Sequence, residues 1–195
     1  MLTERQRAIY VAAGVALQKA VIVPNFLPQD LDPGSPPTRG RSGYTYVGRL
    51  SPEKGVVRLL QRWPETVALT VLGDDPLRPT VEALAARRPN TAVVGGVSRS
   101  TAIDAMRRSR WLLFPSHWLE ELPKMYLEAL ACGLPTLAFE PSVLAEGREA
   151  RRHRPQPGLG RSLARDRLPI PRYCRHCARH LPSLLCAALL GARLP

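Results

Sequence analysis

The chain has 195 residues, of which 45% are hydrophobic, and a formal net charge of +12. A chain of this length holds one ordinary globular domain and hardly two, and it contains neither a signal-peptide core nor an apolar run near the roughly 18 residues of a membrane span. Residues 151–195 contain ten arginines and a single aspartate, so most of the positive charge lies there. The net charge therefore does not indicate that residues 1–150 bind nucleic acid. We expect a cytoplasmic protein that works near the membrane surface.

The amino-terminal part predicts two short elements and a linker. Thr3–Ala13 has helical spacing, with Thr3 as its cap and Gly14 as its stop. Ala20–Pro24 is an apolar run typical of a short buried strand. Residues 28–42 are rich in Pro, Gly and Ser and lack periodicity, which indicates a linker.

Strands and helices alternate after the linker, a pattern that predicts an α/β domain with a doubly wound parallel sheet. The predicted strands are Tyr44–Val47, Val67–Leu72, Thr91–Val94, Trp111–Phe114 and Thr136–Phe139. The helices between and after them are predicted at Lys54–Arg62, Thr80–Arg88, from Ser98 or Ser100 to Ser109, Pro123–Cys132, and from about Ser142 to Glu146. Ligands of such sheets bind beyond the carboxyl ends of the strands. Arg49, Gly95–Ser98, Ser116–Leu122 and Glu140 fall at those ends.

The stretch from Trp111 to Pro135 carries the clearest chemical signal. It predicts a buried strand, a tight loop, and a helix that has Pro123 at its first position and Gly133 as its left-handed stop. The free amides of that helix start favour an anionic group such as a diphosphate. Two carboxylates, Glu120 and Glu128, lie beside this anion site and are better suited to hydroxyls than to phosphate. The combination predicts a nucleotide-sugar pocket.

Two motifs carry a family resemblance. Residues 118–135, W-L-E-E-L-P-x4-E-A-L-A-C-G-L-P, resemble the E-x7-E signature of the retaining glycosyltransferases of family 4, which have the GT-B fold. Val47–Gly55, V-G-R-L-S-P-E-K-G, resembles the family's G-R-L-x-x-E-K-G. The resemblance covers about Ala20 to Glu146. It implies a Rossmann-like parallel sheet with helices on both faces, the C-terminal half of a GT-B fold, in which 43–147 bind the nucleotide sugar and 1–27 are a remnant of the acceptor domain.

The resemblance also implies roles for individual residues. Arg49 and Lys54 contact the diphosphate and neutralise the departing nucleotide, Glu120 contacts hydroxyls of the donor sugar, and Glu128 holds the ribose hydroxyls. Arg49, Lys54 and Glu120 are therefore the candidate catalytic residues. Glu121 departs from the family pattern, since glycine is usual there, and a third carboxylate so near a diphosphate is unfavourable unless it points outward.

Further donor contacts are expected from backbone groups. Gly96 and Val97 form a turn that places N–H and C=O groups against the nucleobase, although a plain turn fits this short signal nearly as well. Leu122 and Pro123 belong to the helix start that receives the diphosphate. No Asp-x-Asp motif stands at a strand end, so neither a metal ion nor another cofactor is implied; the nucleoside diphosphate sugar is a substrate.

Residues 148–195 do not follow the family pattern. Their charge, prolines and glycines predict a disordered tail, which has two explanations: a shifted reading frame in a GC-rich gene, which we favour, or a basic extension that binds phosphate-rich partners. Cys174, Cys177, His180 and Cys186 give C-x2-C-x2-H-x5-C, a spacing that matches no common zinc module.

The predicted function is retaining transfer of a hexosyl group from a nucleoside diphosphate sugar to a saccharide or lipid-linked acceptor, with the isolated chain inactive because it is truncated. The first alternative is a non-catalytic nucleotide-sugar-binding or regulatory half-protein that needs a separate acceptor-domain subunit. A nucleotide-sugar epimerase shares the fold, but the pair of motifs points away from it. A basic nucleic-acid binder ranks last, because Tyr173 is the one aromatic residue available for stacking in the arginine-rich part.

Overall fold

Five parallel strands and five α-helices form the described part of the chain, residues 3–17, 21–27, 40–118, 120 and 122–138 of a computed structural model. The elements in order are α1 (Glu4–Ala12), β1 (Ser42–Val47), a 3-10 turn (Pro52–Lys54), α2 (Val56–Arg62), β2 (Leu69–Leu72), α3 (Arg78–Ala85), β3 (Thr91–Gly95), α4 (Arg99–Arg108), β4 (Ser109–Phe114), α5 (Lys124–Ala131) and β5 (Thr136–Ala138). Among these described residues, no helix is long and apolar enough to cross a bilayer.

The sheet has the strand order β3-β2-β1-β4-β5, and every pair of neighbours is parallel. The chain therefore adds β2 and β3 on one side of β1. It then crosses back and adds β4 and β5 on the other side of β1. Two registers fix this centre: Tyr44 pairs with Leu69 of β2 and with Trp111 of β4. The direction of strand progression reverses between β1 and β4, which makes this the topological switch point of the sheet.

Helices cover both faces of the sheet. Adjacent residues of a strand point to opposite faces, and on β4 Leu113 packs in one buried cluster while Leu112 packs in the other. The first cluster holds apolar side chains of α2 and α3, and the second those of α4 and α5. The predicted α/β, Rossmann-like parallel sheet with helices on both faces is therefore confirmed.

An arginine holds α5 against the start of β1. Arg41 donates from Nη1 to the carbonyl of Gly133 at 3.1 Å and from Nη2 to that of Cys132 at 2.5 Å. These carbonyls lie at the carboxyl end of α5, where a cation also meets the negative end of the helix dipole. Gly133 has φ 58°, as the sequence predicted for the residue that stops this helix.

The predicted strand at Ala20–Pro24 is wrong. Residues 21–27 contain no strand, and Val21 and Val23 are 70% and 58% exposed. A β-branched run becomes a strand only where a neighbouring strand accepts its backbone hydrogen bonds, and the sheet of the described residues ends at β3 and β5. The helix at Thr3–Ala13 is confirmed as α1, in which Thr3 Oγ1 accepts from the amide of Gln6 at 3.1 Å.

The predicted helix at Lys54–Arg62 begins later than the sequence suggested. Pro52–Lys54 form a 3-10 turn, Gly55 adopts φ 70°, and α2 starts at Val56. The other strands and helices predicted between residues 44 and 138 are present with bounds that differ by a few residues. Several predictions concern residues outside the described part: most of the linker at 28–42, Glu121, Glu140, the helix start at 142–146, and the tail at 148–195 with its Cys and His residues.

Candidate functional site

A cavity of about 230 Å³ opens at the carboxyl ends of β1 and β4. This is the switch point of the sheet, where two neighbouring strands send their loops in opposite directions and leave a crevice for ligands. The lining residues come from the end of β1 and its loop, the end of β4 and its loop, and the start of α5: Tyr46, Val47, Gly48, Arg49, Lys54, Phe114, Pro115, Ser116, Glu120, Pro123, Lys124 and Met125.

The loops after β1 and β4 are bound to each other. The carbonyl of Glu53 accepts from the amide of His117 at 2.9 Å and from Ser116 Oγ at 3.3 Å. Gly55 passes so close that a Cβ there would lie 2.2 Å from the carbonyl oxygen of Pro115. Its φ of 70° is also one that side chains disfavour. Glycine at this position thus allows the two loops to approach each other this closely.

Lys54 and Glu120 form an ion pair inside the cavity. The Nζ–Oε1 distance is 2.8 Å, and the two side chains are only 23% and 15% exposed. The sequence predicted separate duties for them, a diphosphate for the lysine and sugar hydroxyls for the glutamate. In the structure the two side chains contact each other, although Lys54 follows β1 and Glu120 follows β4.

Arg49 is held at the mouth of the cavity by two carboxylates. Its Nη2 donates to Glu53 Oε1 at 2.9 Å, and its Nη1 lies 3.6 Å from Asp75 Oδ2. Ser51 Oγ donates to the same Glu53 oxygen at 2.6 Å. This hydroxyl, and more weakly the charges of Arg49 and Lys54, lower the pKa of Glu53 from its ordinary value of 4.5, so the carboxylate stays charged beside the guanidinium.

The start of α5 contributes backbone amides and a further cation. Pro123 is the cap and not the first helical residue, a correction to the prediction, because its ψ of 133° is extended. Its carbonyl accepts from the amides of Tyr126 at 3.0 Å and Leu127 at 3.4 Å. Lys124 and Met125, which precede these first intrahelical bonds, line the cavity. Positive charge and the helix dipole therefore meet where an anion could bind.

Glu128 lies apart from these residues, buried between α5 and α4. It is 8% exposed, and its Oε1 accepts from Arg99 Nε at 2.7 Å. Arg99 is the first residue of α4, directly after the cap Ser98, whose Oγ accepts from the amide of Thr101 at 3.2 Å. A buried carboxylate needs such a partner, since an unpaired one is strongly disfavoured.

The structure brings together some of the predicted site residues and leaves others outside. Arg49, Lys54, Glu120 and Pro123 line the cavity, whereas Gly96, Val97, Leu122 and Glu128 are not among its lining residues. Gly96 packs beside the loop after β2, where a Cβ would be 3.4 Å from Asp74 Oδ2. The carbonyl of Leu122 accepts from Asn25 Nδ2 at 2.5 Å, which ties segment 21–27 to the loop before α5.

The sequence analysis assigned no individual role to several residues of the site. Tyr46 donates from its hydroxyl to the carbonyl of Arg49 at 2.7 Å, and its burial, with the nearby charges of Glu120 and Glu53, raises its pKa. Ser116 and Lys124 also line the cavity. Lys124 had a usable signal, because it follows the proline of the glutamate motif at the helix start.

A cluster of metal ligands is not found in the described part of the chain, where no three His, Cys, Asp or Glu side chains are arranged to hold an ion. The charged groups that line the cavity are the cations Arg49, Lys54 and Lys124 and the carboxylate of Glu120.

Residues 36–147 match the family of glycosyl transferases group 1. That span includes every described residue of the cavity and more than half of the chain. None of the curated protein sequences compared with the chain matches it.

Solved structures share the fold. HepE of Anabaena in complex with UDP and glucose superposes with a TM-score of 0.57 at 18% identity, covering 70% of this chain and 42% of that one. WaaG, a glycosyltransferase involved in lipopolysaccharide biosynthesis, gives 0.55 at 26% identity, with coverages of 71% and 43%. Sucrose-phosphate synthase of Thermosynechococcus elongatus gives 0.56 at 20%, with coverages of 70% and 39%. The chain thus spans about two-fifths of the length of these GT-B proteins.

Proposed function

The chain belongs to the family of glycosyl transferases group 1, and on this basis we propose that its cavity binds the diphosphate of a nucleoside diphosphate sugar for retaining transfer of a hexosyl group. One observation carries the proposal. Arg49, Lys54 and the start of α5 reach one cavity at the switch point of the sheet, together with Glu120. Cations and helix amides suit the diphosphate, and the carboxylate suits sugar hydroxyls.

The catalytic contribution of this arrangement is electrostatic. When the bond between the anomeric carbon and the diphosphate oxygen breaks, negative charge accumulates on the leaving diphosphate. In this proposal Arg49, Lys54 and the first amides of α5 stabilise that charge, and preorganised groups of this kind supply a large share of many enzymatic rate enhancements. No protein carboxylate is required as the nucleophile.

The remaining roles follow the same proposal. Glu120 accepts from hydroxyls of the donor sugar, and Glu128 accepts from the ribose. The Arg99 guanidinium supports this second role, because its hydrogen bond orients the buried carboxylate at the start of α4. Gly96 and Val97, which directly precede the α4 cap Ser98, remain the proposed contacts of the nucleobase.

Isothermal titration calorimetry tests the donor site. The purified chain is titrated with UDP, ADP and GDP, and the best ligand is used for two variants. Lys54→Ala should weaken binding by about 1.5–3 kcal/mol, the range for a hydrogen bond between charged groups. Glu128→Gln should also weaken it, because an amide oxygen is the poorer acceptor for ribose hydroxyls.

Matched controls remove the same charge elsewhere. Arg87→Ala deletes an exposed cation after α3, and Glu82→Gln neutralises a carboxylate on the outer face of that helix, where it pairs with Arg78. Both controls should bind like the parent. Unchanged affinity in both site variants would remove the basis for the donor site.

A further inference from the structure

Two anions compete for Lys54 in this site: the Glu120 carboxylate and the diphosphate of the proposed ligand. Its ammonium lies 2.8 Å from Glu120, and the ion pair is largely shielded from water. Under the proposed function, on which this inference rests, the same ammonium must also contact a diphosphate. A diphosphate that approaches Lys54 therefore meets a carboxylate already in place, and like charges at such distances repel strongly where water is scarce.

We propose that Glu120 makes the site select nucleoside diphosphate sugars over nucleoside diphosphates that lack the sugar. When the sugar is present, its hydroxyls donate to the Glu120 carboxylate and replace Lys54 as its partner. Lys54 then turns to the diphosphate without leaving a buried charge unpaired. When the sugar is absent, Glu120 either remains paired with Lys54 or is left unpaired beside the phosphate. Either outcome weakens binding of the diphosphate.

Neighbouring hydroxyls cannot take the place of the sugar. Tyr46 and Ser116 both line the cavity, but each already donates to a backbone carbonyl, Tyr46 to Arg49 O at 2.7 Å and Ser116 to Glu53 O at 3.3 Å. Glu53 is itself an acceptor that holds Arg49. Within the described residues, Lys54 is the side chain that pairs with Glu120, and a hydroxylated ligand offers a replacement for it. After transfer, the product diphosphate has lost the group that satisfied Glu120, which favours its release.

The experiment compares a bare diphosphate with a sugar nucleotide. Inorganic pyrophosphate, UDP and UDP-glucose are titrated into the parent and into Glu120→Gln, in which an amide replaces the competing anion. We expect pyrophosphate and UDP to bind the variant about threefold or more tightly than the parent, in line with a partly exposed ion pair. UDP-glucose should bind it no more tightly, so the preference for the sugar nucleotide falls. Glu82→Gln, which makes the same change outside the cavity, should alter none of the three affinities.

Two failures have different meanings. A parent that binds neither UDP-glucose, nor pyrophosphate, nor any nucleoside diphosphate contradicts the proposed function itself. If the parent binds these ligands and Glu120→Gln binds pyrophosphate no more tightly than the parent does, only the selection by Glu120 is contradicted. Equal tightening for UDP and UDP-glucose also contradicts it, because a general loss of negative charge then explains the result. Residue 120 lies outside helices and strands, so Glu120→Ala provides the same comparison if the glutamine variant does not fold.

Discussion

Charged side chains in this site are held by partners from distant parts of the chain. Lys54 meets Glu120 at the switch point, and Arg99 meets Glu128 between α4 and α5. In the first pair both members are proposed ligand-binding residues, whereas in the second Arg99 holds the proposed ribose-binding Glu128. Removing the partner of a buried charge is more damaging than removing both, because the remaining charge loses its compensation.

Arg99→Met tests the cost of leaving Glu128 without its partner. The variant leaves Glu128 without its guanidinium, so we expect binding of the preferred nucleoside diphosphate to weaken by about 1.5–3 kcal/mol. Pyrophosphate has no ribose and should bind with unchanged affinity. Calorimetry with both ligands measures the difference, and Arg87→Met serves as the control for lost charge. Equal weakening for pyrophosphate would instead assign Arg99 to the phosphates or to the fold.

The short elements between β1 and α2 decide the shape of the crevice. A 3-10 turn ends at Lys54, Gly55 reverses the backbone in the left-handed region, and α2 follows. The turn presents Lys54 to the cavity while the carbonyl of Glu53 accepts from the loop after β4. Two loops that belong to different strands thereby act as one unit.

Gly55→Ala should separate those loops. The new Cβ is strained by the φ of 70° and would meet the Pro115 carbonyl at 2.2 Å. Gly40→Ala shares the strain, with φ 87°, but a Cβ there meets no atom of the described residues within 4 Å. We expect Gly55→Ala to be less stable than this control by about 1–3 kcal/mol, the usual range for overpacking. Urea unfolding measures the difference, and equal midpoints would show that the loop contact is not tight.

At the scale of the molecule, the proposed site lies at the centre of the sheet. A ligand in the cavity would touch the ends of β1 and β4 and the start of α5, elements that join both packed faces. Binding should therefore oppose unfolding of the whole described domain and not only of one loop. The stabilisation follows mass action and grows with the ligand concentration relative to Kd.

Thermal unfolding gives the corresponding prediction. At a concentration of 100 Kd, the preferred nucleoside diphosphate should stabilise the folded state by about 2.7 kcal/mol, which raises Tm by several degrees in a domain of this size. The same concentration should raise the Tm of Lys54→Ala much less. A parent Tm that does not respond to saturating ligand would contradict binding to the folded domain.

The sequence by itself determined the local elements. Apolar runs predicted the strands, and Gly133 marked the end of α5, where its φ is 58°. The left-handed Gly55, at φ 70°, was not predicted, because the sequence analysis placed it inside a helix. The strands and the end of α5 depend on residues within one turn or one strand, so a pattern a few residues long contains them. The two motifs were likewise enough to predict which loops meet a diphosphate, a prediction that awaits the binding experiments.

Only the tertiary structure decided which side chains meet. The order β3-β2-β1-β4-β5 places the β1 and β4 loops together, and this brings Lys54 onto Glu120 and Arg99 onto Glu128. No local pattern contains such a pairing, because it depends on how strands distant in sequence pack side by side. The same reason explains the wrong strand at Ala20–Pro24. Its apolar spacing met the local requirement, but a strand also needs a neighbour, and the described sheet provides none there.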